Sequence, residues 1–251
     1  MDTVEQLCRQ LASSDQEKVY QAKQEMARRT AEAGAPGQDQ QRKEMAAKMA
    51  ALLMAEREAK DSKGNPTKVP ELPASGRALI ARYLANVGGD DEVPAVIQAM
   101  QDFDVREMAR WALTRMTCAA AMDALANAAT DGIGNEFRIG AINGLAEHSS
   151  CKVINTALRT CLDDPSAEIQ LAAVEAMANH DLPDDDPAIA KLAAGSLRAK
   201  RRVVKARLRW AEKLVSEGQK DAATKIYQSI ASGKFDEAQK KAAAAALARL
   251  G

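Results

Sequence analysis

A nine-residue pattern returns at a constant interval through the middle of the chain, and this repeat limits the possible folds more than any other feature. The copies read Val-Arg-Glu-Met-Ala-Arg-Trp-Ala-Leu at 105–113, Phe-Arg-Ile-Gly-Ala-Ile-Asn-Gly-Leu at 137–145 and Ile-Gln-Leu-Ala-Ala-Val-Glu-Ala-Met at 169–177. Each begins and ends with an apolar residue and has small residues at its fifth and eighth positions, a spacing typical of a helix. The repeat therefore predicts a series of similar helices that approach one another closely.

Weaker copies of the pattern lie at 76–84, near 203–211 and near 238–246. A shorter helix is predicted before four of the copies, over Val93–Gln101, Cys118–Ala129, Lys152–Leu162 and Pro187–Leu197. The unit is thus a helical hairpin that recurs roughly every 32 to 35 residues, within the range of known helical repeats. Because one hairpin leaves an apolar face exposed, successive hairpins must stack. The expected architecture is all-α, a right-handed α-solenoid of about four or five stacked hairpins.

The composition agrees with an all-α fold. Alanine supplies 52 of the 251 residues, and aromatic residues make up only 3%. Alanine has the highest helix propensity, whereas sheets favour β-branched and aromatic side chains.

The N-terminal part lacks the repeat and is predicted to form three helices, over 2–12, 16–33 and 38–60. Three prolines then fall within 61–73, and proline interrupts both helices and central strands. The predicted domains are an N-terminal helical cap at 1–60, a Pro-rich loop at 61–73 and the repeat solenoid at 74–251.

The repeat motif resembles the HEAT-like repeats of many bacterial proteins, including repeat proteins of the phycobilisome-lyase type. Their motif is roughly an apolar residue, Arg, two variable residues, Ala-Ala, two variable residues and Ala-Leu, and 105–113 matches it best. The segment 210–227 instead looks like a tetratricopeptide-type turn, with Gly218 closing one helix and Tyr227 packing in the next. The resemblance implies the fold and says little about function, because repeat solenoids have many functions.

The charge is balanced overall but segregated along the chain. The 35 basic and 35 acidic residues cancel, which excludes a globally basic nucleic-acid coat. Residues 1–73 are neutral, 74–190 carry a net charge of −10 and 191–251 carry +10. These two oppositely charged segments either attract a partner, join copies of the chain head to tail, or neutralise each other within one fold.

The strongest local signal is a run of seven cations within 198–209. They are Arg198, Lys200, Arg201, Arg202, Lys205, Arg207 and Arg209. At helical spacing Arg198, Arg202, Lys205 and Arg209 form one stripe. The stripe is either a docking surface for an acidic or phosphorylated protein, or a solvated face balanced by the acidic repeats. Nucleic acid is the less favoured partner, because almost no aromatic residue is interleaved to stack on bases.

A second candidate surface comes from Arg77, Arg106 and Arg138, which occupy roughly equivalent repeat positions with Gln170 next in line. In stacked hairpins these side chains form a ladder along one side. The ladder either makes hydrogen bonds between neighbouring repeats or lines a groove that holds an extended acidic peptide.

No motif for catalysis, a cofactor or a metal is present, so no catalytic or metal-ligating residue is predicted. His148 and His180 are the only histidines, and each is expected to end a repeat helix. The cysteines have no CxxC spacing and are expected to be reduced, partly buried small hydrophobes; they are Cys8, Cys118, Cys151 and Cys161. Trp111 and Trp210 superficially fit a base-binding repair enzyme, but each is expected to pack between repeats.

The sequence therefore predicts a non-catalytic scaffold or adaptor that binds another protein, acidic at the contact, through its groove and charged surfaces. The alternatives are an enzyme on a HEAT-like scaffold, of a nucleic-acid-binding or repair type or a bilin-attachment type, and a self-assembling structural subunit that forms homo-oligomers. No apolar stretch is long enough to span a membrane and no leader is recognisable, so the expected location is the cytoplasm.

Overall fold

The computed structural model describes residues 2–131, 134–180, 186–193 and 196–250, and these residues are almost entirely helical. Within them the one sheet is a two-stranded hairpin. The all-α fold class predicted from the repeat is confirmed.

The chain packs as two compact units, of which the first is Met1–Leu125. Its helices and strands, in chain order, are α1 (Val4–Leu11), α2 (Gln16–Ala33), α3 (Asp39–Met54), β1 (Glu56–Lys60), β2 (Pro66–Pro70), α4 (Ala74–Val87), α5 (Val93–Ala99) and α6 (Arg106–Arg115). The three N-terminal helices all pack against α4, the first helix of the repeat pattern. The boundary predicted at 61–73 therefore lies inside this unit.

Local capping sets the starts of the first two helices. Thr3 Oγ1 accepts a hydrogen bond from the Gln6 backbone N–H at 3.2 Å, and Gln6 Oε1 accepts one from the Thr3 N–H at 2.7 Å. Asp15 caps α2 by accepting from the backbone N–H of Glu17 at 3.0 Å. These side chains satisfy N–H groups that have no partner within the first turn of a helix.

The helix predicted over 38–60 ends at Met54, so that prediction is wrong at its C-terminal end. The chain continues into β1, which pairs antiparallel with β2. Glu, Arg, Ala and Lys in β1 all favour helix locally, whereas the pairing with β2 depends on residues farther along the chain.

The turn of this hairpin is closed by Asp61 and Gly64. Asp61 Oδ1 accepts hydrogen bonds from the backbone N–H groups of Lys63 and Asn65, both at 2.8 Å. Gly64 has φ +83°, a conformation that L-residues other than glycine adopt at a cost. Prolines lie at the ends of β2, where the loss of an N–H does not interrupt the ladder.

The second unit is Ala126–Gly251, and the boundary between the units falls within α7 (Ala119–Thr130). The later helices of this unit are α8 (Asn135–Leu145), α9 (Lys152–Leu162), α10 (Ala167–Met177), α11 (Asp186–Leu192), α12 (Leu197–Ser216), α13 (Lys220–Ala231) and α14 (Glu237–Leu250). Helix α10 packs against α8 on one side and α12 on the other, and α9 also packs on α10. Residues 194–195 of the helix predicted at Pro187–Leu197 lie outside the described residues.

The small residues of the repeat are buried as predicted. Ala109 in α6, Ala141 in α8 and Ala173 in α10 are each 0% exposed, and they occupy the same position in successive copies of the pattern. The turn predicted at the C-terminal end is also present: Gly218 follows α12 with φ +80°, and Tyr227 is buried within α13.

Replacing Gly76 by alanine is expected to lower the melting temperature and to reduce the free energy of unfolding by about 1–3 kcal/mol. A Cβ at this position in α4 would lie 2.5 Å from the Cβ and 3.0 Å from the Cα of Ala12, at the end of α1. The matched control is Gly89→Ala, because there the nearest atom, Glu92 Oε2, is 3.8 Å away. Thermal unfolding followed by circular dichroism measures both, and equal melting temperatures would contradict the close approach of α1 and α4.

Candidate functional site

The seven cations predicted as a docking surface lie in different environments along α12. Arg207 is 2% exposed and belongs to the core of the second unit. Its guanidinium donates to both carboxylate oxygens of Asp186, at 2.6 and 2.7 Å, and to Ser229 Oγ at 2.6 Å. Arg207 thus joins α12 to α11 and α13 and does not reach the surface, where the sequence had placed it.

Other cations of the run are exposed or half-exposed. Arg201 is exposed and donates to Asp236 at 3.0 Å. The ammonium of Lys200 lies 5.5 Å from the centre of the Phe235 ring. The side chain of Arg198 is exposed and makes no hydrogen bond or ion pair within the part of the chain that the structure describes.

Three members of the predicted stripe line a cleft of about 290 Å³ in the second unit: Arg202, Lys205 and Arg209. The cleft lies between α8, α10 and α12. Its other lining residues are the polar Asn143, Glu175 and Asn179 and the small Ala146, Ala176 and Ala206.

Two side-chain bridges cross this cleft from α12 to α10 and the turn that follows it. Arg202 donates to both carboxylate oxygens of Glu175 at 2.7 Å, and Arg209 Nη2 donates to Asn179 Oδ1 at 2.7 Å. Asn179 is held in place because its amide donates to the Ala146 carbonyl at 3.2 Å and its backbone carbonyl accepts from Lys213 Nζ at 3.0 Å.

Lys205 lies on α12 between the two bridges. Its side chain is exposed, and within the described ranges it has no hydrogen bond or ion pair. The hydrogen bonds from Arg202 hold the pKa of Glu175 below its usual range, although burial opposes them, and the charges of Arg202, Lys205 and Arg209 add to the effect. The cleft therefore has three cations facing one ionised carboxylate, and it can accept a further anionic group.

Sequence reasoning missed the residues of α8 and α10 that complete the cleft. Asn143 and Glu175 both occupy the seventh position of the nine-residue pattern, in successive copies. Stacking of repeats places equivalent positions side by side on one surface. The alignment of the repeat copies in the sequence therefore predicts that Asn143 and Glu175 are neighbours. Trp111 occupies the same position in the first unit.

Trp111 is 38% exposed, so the expectation that it packs between repeats is wrong, whereas Trp210 is 1% exposed and does pack in the core. Phe103 is 75% exposed, and the guanidinium of Arg106 lies 4.4 Å from the centre of its ring. Arg106 of the predicted ladder therefore packs over one exposed aromatic ring of the first unit.

Arg77 and Arg138, the other ladder arginines, make hydrogen bonds between neighbouring repeats. Arg77 Nε donates to the Leu72 carbonyl at 3.1 Å, and its guanidinium pairs with Asp102 in the turn between α5 and α6. The pattern recurs in the second unit, where Arg138 Nε donates to the Ala129 carbonyl at 2.9 Å. Its guanidinium pairs with Asp164 in the turn between α9 and α10. Since both arginines are largely buried, the structure supports the first of the two predicted roles for the ladder.

These ion pairs lower the pKa of both aspartates. The hydrogen bond from Arg77 is the largest cause at Asp102, and the backbone N–H of Asp104 adds to it. At Asp164 burial acts in the raising direction, but the hydrogen bonds from Arg138 and from the Ser166 N–H together hold its pKa below the ordinary value.

The four cysteines are free thiols. Burial raises the pKa of Cys8 to about 12 and also raises that of Cys161, so neither thiol ionises readily near neutral pH. Within the described ranges no group of three or more His, Cys, Asp or Glu side chains is placed to hold a metal ion. Among the helices described, none combines the length and apolar character needed to cross a membrane.

Comparison with known proteins gives low similarity over the whole chain. No family model and no curated protein matches. Among solved structures, the complex of CpcE and CpcF of phycocyanin lyase from a Nostoc species is 18% identical with a TM-score of 0.42, covering 100% of this chain and 96% of that one. A designed armadillo repeat protein in complex with a (KR)4 peptide is 19% identical with a TM-score of 0.39, covering 100% of both chains.

Human deoxyhypusine hydroxylase is 13% identical to this chain with a TM-score of 0.38, covering 98% of this chain and 95% of that one. The assignment of the fold class depends on the helices and contacts described above.

Replacing Asp164 by asparagine is expected to reduce the free energy of unfolding by about 2–3 kcal/mol, because a largely buried guanidinium loses its counter-charge. The neighbouring Asp163 is exposed and supplies the matched control, Asp163→Asn. Urea unfolding at neutral pH measures both variants. An equal loss of stability in the two variants would show that the ion pair between Asp164 and Arg138 adds nothing to the free energy of unfolding.

The contribution of Asp102 is expected to depend on pH. Since its pKa in the folded protein lies below the ordinary 3.8, its stabilisation is present above that value and is lost as the pH falls through the lowered pKa. Asp102→Asn has no such proton to take up. The difference in melting temperature between wild type and variant should therefore be largest near neutral pH and shrink below pH 3.8. A difference that stays constant with pH would contradict the ionised pair with Arg77.

Proposed function

We propose that the chain is a non-catalytic repeat scaffold or adaptor that binds an acidic segment of another protein in the cleft lined by Arg202, Lys205 and Arg209. The observation that supports this best is the position of Lys205, exposed between two bridged cations on a surface made by three successive repeat helices. Such a surface presents positive charge in a fixed arrangement, because the bridges hold its two arginines.

The electrostatic character of the cleft favours fast, salt-dependent association. Three cations face one carboxylate, so the cleft retains a positive field that attracts acidic partners. Exposed charges are screened beyond about 8 Å at physiological ionic strength, so contact between opposite charges has to be close to contribute to affinity.

The chemistry of the lining favours protein over nucleic acid. The described lining residues include amides and small side chains but no aromatic ring, so bases have nothing in the cleft on which to stack. Trp210, which a base-binding site would use, is buried in the core.

The lining also favours binding over catalysis. Among the described lining residues no serine, cysteine or histidine is present to act as a nucleophile or proton carrier. Glu175 is the one carboxylate among those lining residues, and its lowered pKa makes it a weak base at neutral pH.

The double variant Lys205→Glu with Arg209→Glu is expected to recover at least tenfold less partner than the wild type. The measurement is affinity capture from a lysate of its own cells, with nuclease present. The control variant is Lys225→Glu with Lys241→Glu, which reverses two exposed charges of the same unit on α13 and α14. Both variants should have the helical circular dichroism of the wild type, because all four side chains are exposed. Loss of the Arg209–Asn179 hydrogen bond should lower the melting temperature of the first variant by only a few degrees. The control should retain the partner.

Equal recovery of the partner by both variants would overturn the proposal. In a parallel capture without nuclease, recovery of nucleic acid, or of a partner that nuclease then releases, would favour the nucleic-acid alternative instead. A solution mass that falls as salt rises, with no other protein captured, would favour self-assembly.

A further inference from the structure

The geometry of the cleft points to its occupant: we infer an extended segment that carries acidic side chains on alternate residues, one on Lys205 and the next on Arg209. This inference rests on the proposed function and specifies the partner chemistry of the same site. It follows from the spacing of the cations, the two bridges across the cleft and the carboxylate that the cleft already contains.

The spacing of the two cations matches an extended chain. Lys205 and Arg209 lie one helical turn apart on α12 and are therefore about 6 Å apart along the helix axis. In an extended segment, alternate side chains point to the same face and are separated by roughly 6.6 Å. Adjacent acidic residues would point to opposite faces, so only one of them could enter the cleft.

The bridges limit the cleft to side chains. Arg202–Glu175 and Arg209–Asn179 link α12 to α10 and its C-terminal turn with hydrogen bonds of 2.7 Å on either side of Lys205. A partner helix is about 10–12 Å across, whereas the axes of packed neighbouring helices lie about 8–10 Å apart, so such a helix does not fit between α10 and α12. A carboxylate on a flexible side chain can reach the Lys205 ammonium while its backbone stays at the rim.

Glu175 shows how a carboxylate fits this site and which cation is already occupied. Its two oxygens accept from Nε and Nη2 of Arg202, both at 2.7 Å, in the paired geometry that arginine offers a carboxylate. Arg202 is thereby satisfied, which leaves Lys205 and Arg209 for the partner. Arg209 uses Nη2 for Asn179 and retains other N–H groups of its guanidinium for a second acceptor.

The test uses three labelled peptides of identical composition, built from glutamate and serine. In one peptide the glutamates alternate with serines, in the second they are contiguous, and in the third they are spaced by one helical turn. Fluorescence anisotropy with the full chain at low and physiological salt gives the dissociation constants. The alternating peptide should bind at least fivefold more tightly than either isomer. The preference should disappear in Lys205→Gln, where one of the two contacts is lost.

A second measurement isolates the role of Glu175. Glu175→Gln frees Arg202 and removes the negative charge, so it should tighten binding of the alternating peptide at least threefold. The control is Glu147→Gln, an exposed carboxylate of the same unit, which should leave the affinity unchanged. Weaker binding by Glu175→Gln would contradict the competition for Arg202.

The outcomes separate this inference from the proposed function. Equal affinities for the three peptides, all reduced by Lys205→Gln, would overturn the alternate spacing and leave an acid-binding cleft. No binding of any peptide, or tighter binding of a single-stranded DNA oligomer, would overturn the inference. The proposed function fails separately, if the charge-reversed chain still captures its partner.

Discussion

A hairpin of two helices cannot bury its own apolar face, and the rest of this structure depends on how successive hairpins meet that requirement. Residues with no more than a methyl side chain, such as Ala141, lie at the contact and allow close approach. Arginine ion pairs then tie two of the second helices, α4 and α8, to the turn of the next hairpin, by way of Arg77 and Asp102 in one unit and Arg138 and Asp164 in the other. Apolar packing supplies most of the stability, and the buried ion pairs fix the alignment of neighbouring hairpins.

The candidate site is a product of that alignment. Because α8, α10 and α12 lie side by side, residues at the same repeat position are neighbours on one surface. The cleft forms where these residues of α8 and α10 face the basic residues of α12. The helix uses its cations in two ways: Arg207 points inward and holds three helices together, whereas Lys205 points outward. One helix thus contributes both to the core and to the surface that we propose for binding.

Much of the fold follows from local pattern, and most of the site does not. The constant period of the repeat locates α6, α8 and α10, and the buried small residues follow directly from it. Arg207 could not be separated from Lys205 in this way, because its partner Asp186 lies in an earlier helix and is brought close only by packing. The end of α3 at Met54 depends likewise on a strand pairing that local propensity cannot reveal. Glu175 was recognisable only as a repeat position, and its bond to Arg202 required the stacked helices.

The β-hairpin of the first unit has a consequence for how such a sequence can evolve. Its strands and turn are mostly exposed, and the turn is closed by its own residues, Asp61 and Asn65. A segment that buries little surface can change in length or composition with little effect on the helices around it. Substitutions are therefore expected to accumulate in this hairpin faster than at buried positions such as Ala141, and its tip offers a place to insert a tag or a label without disturbing the repeats.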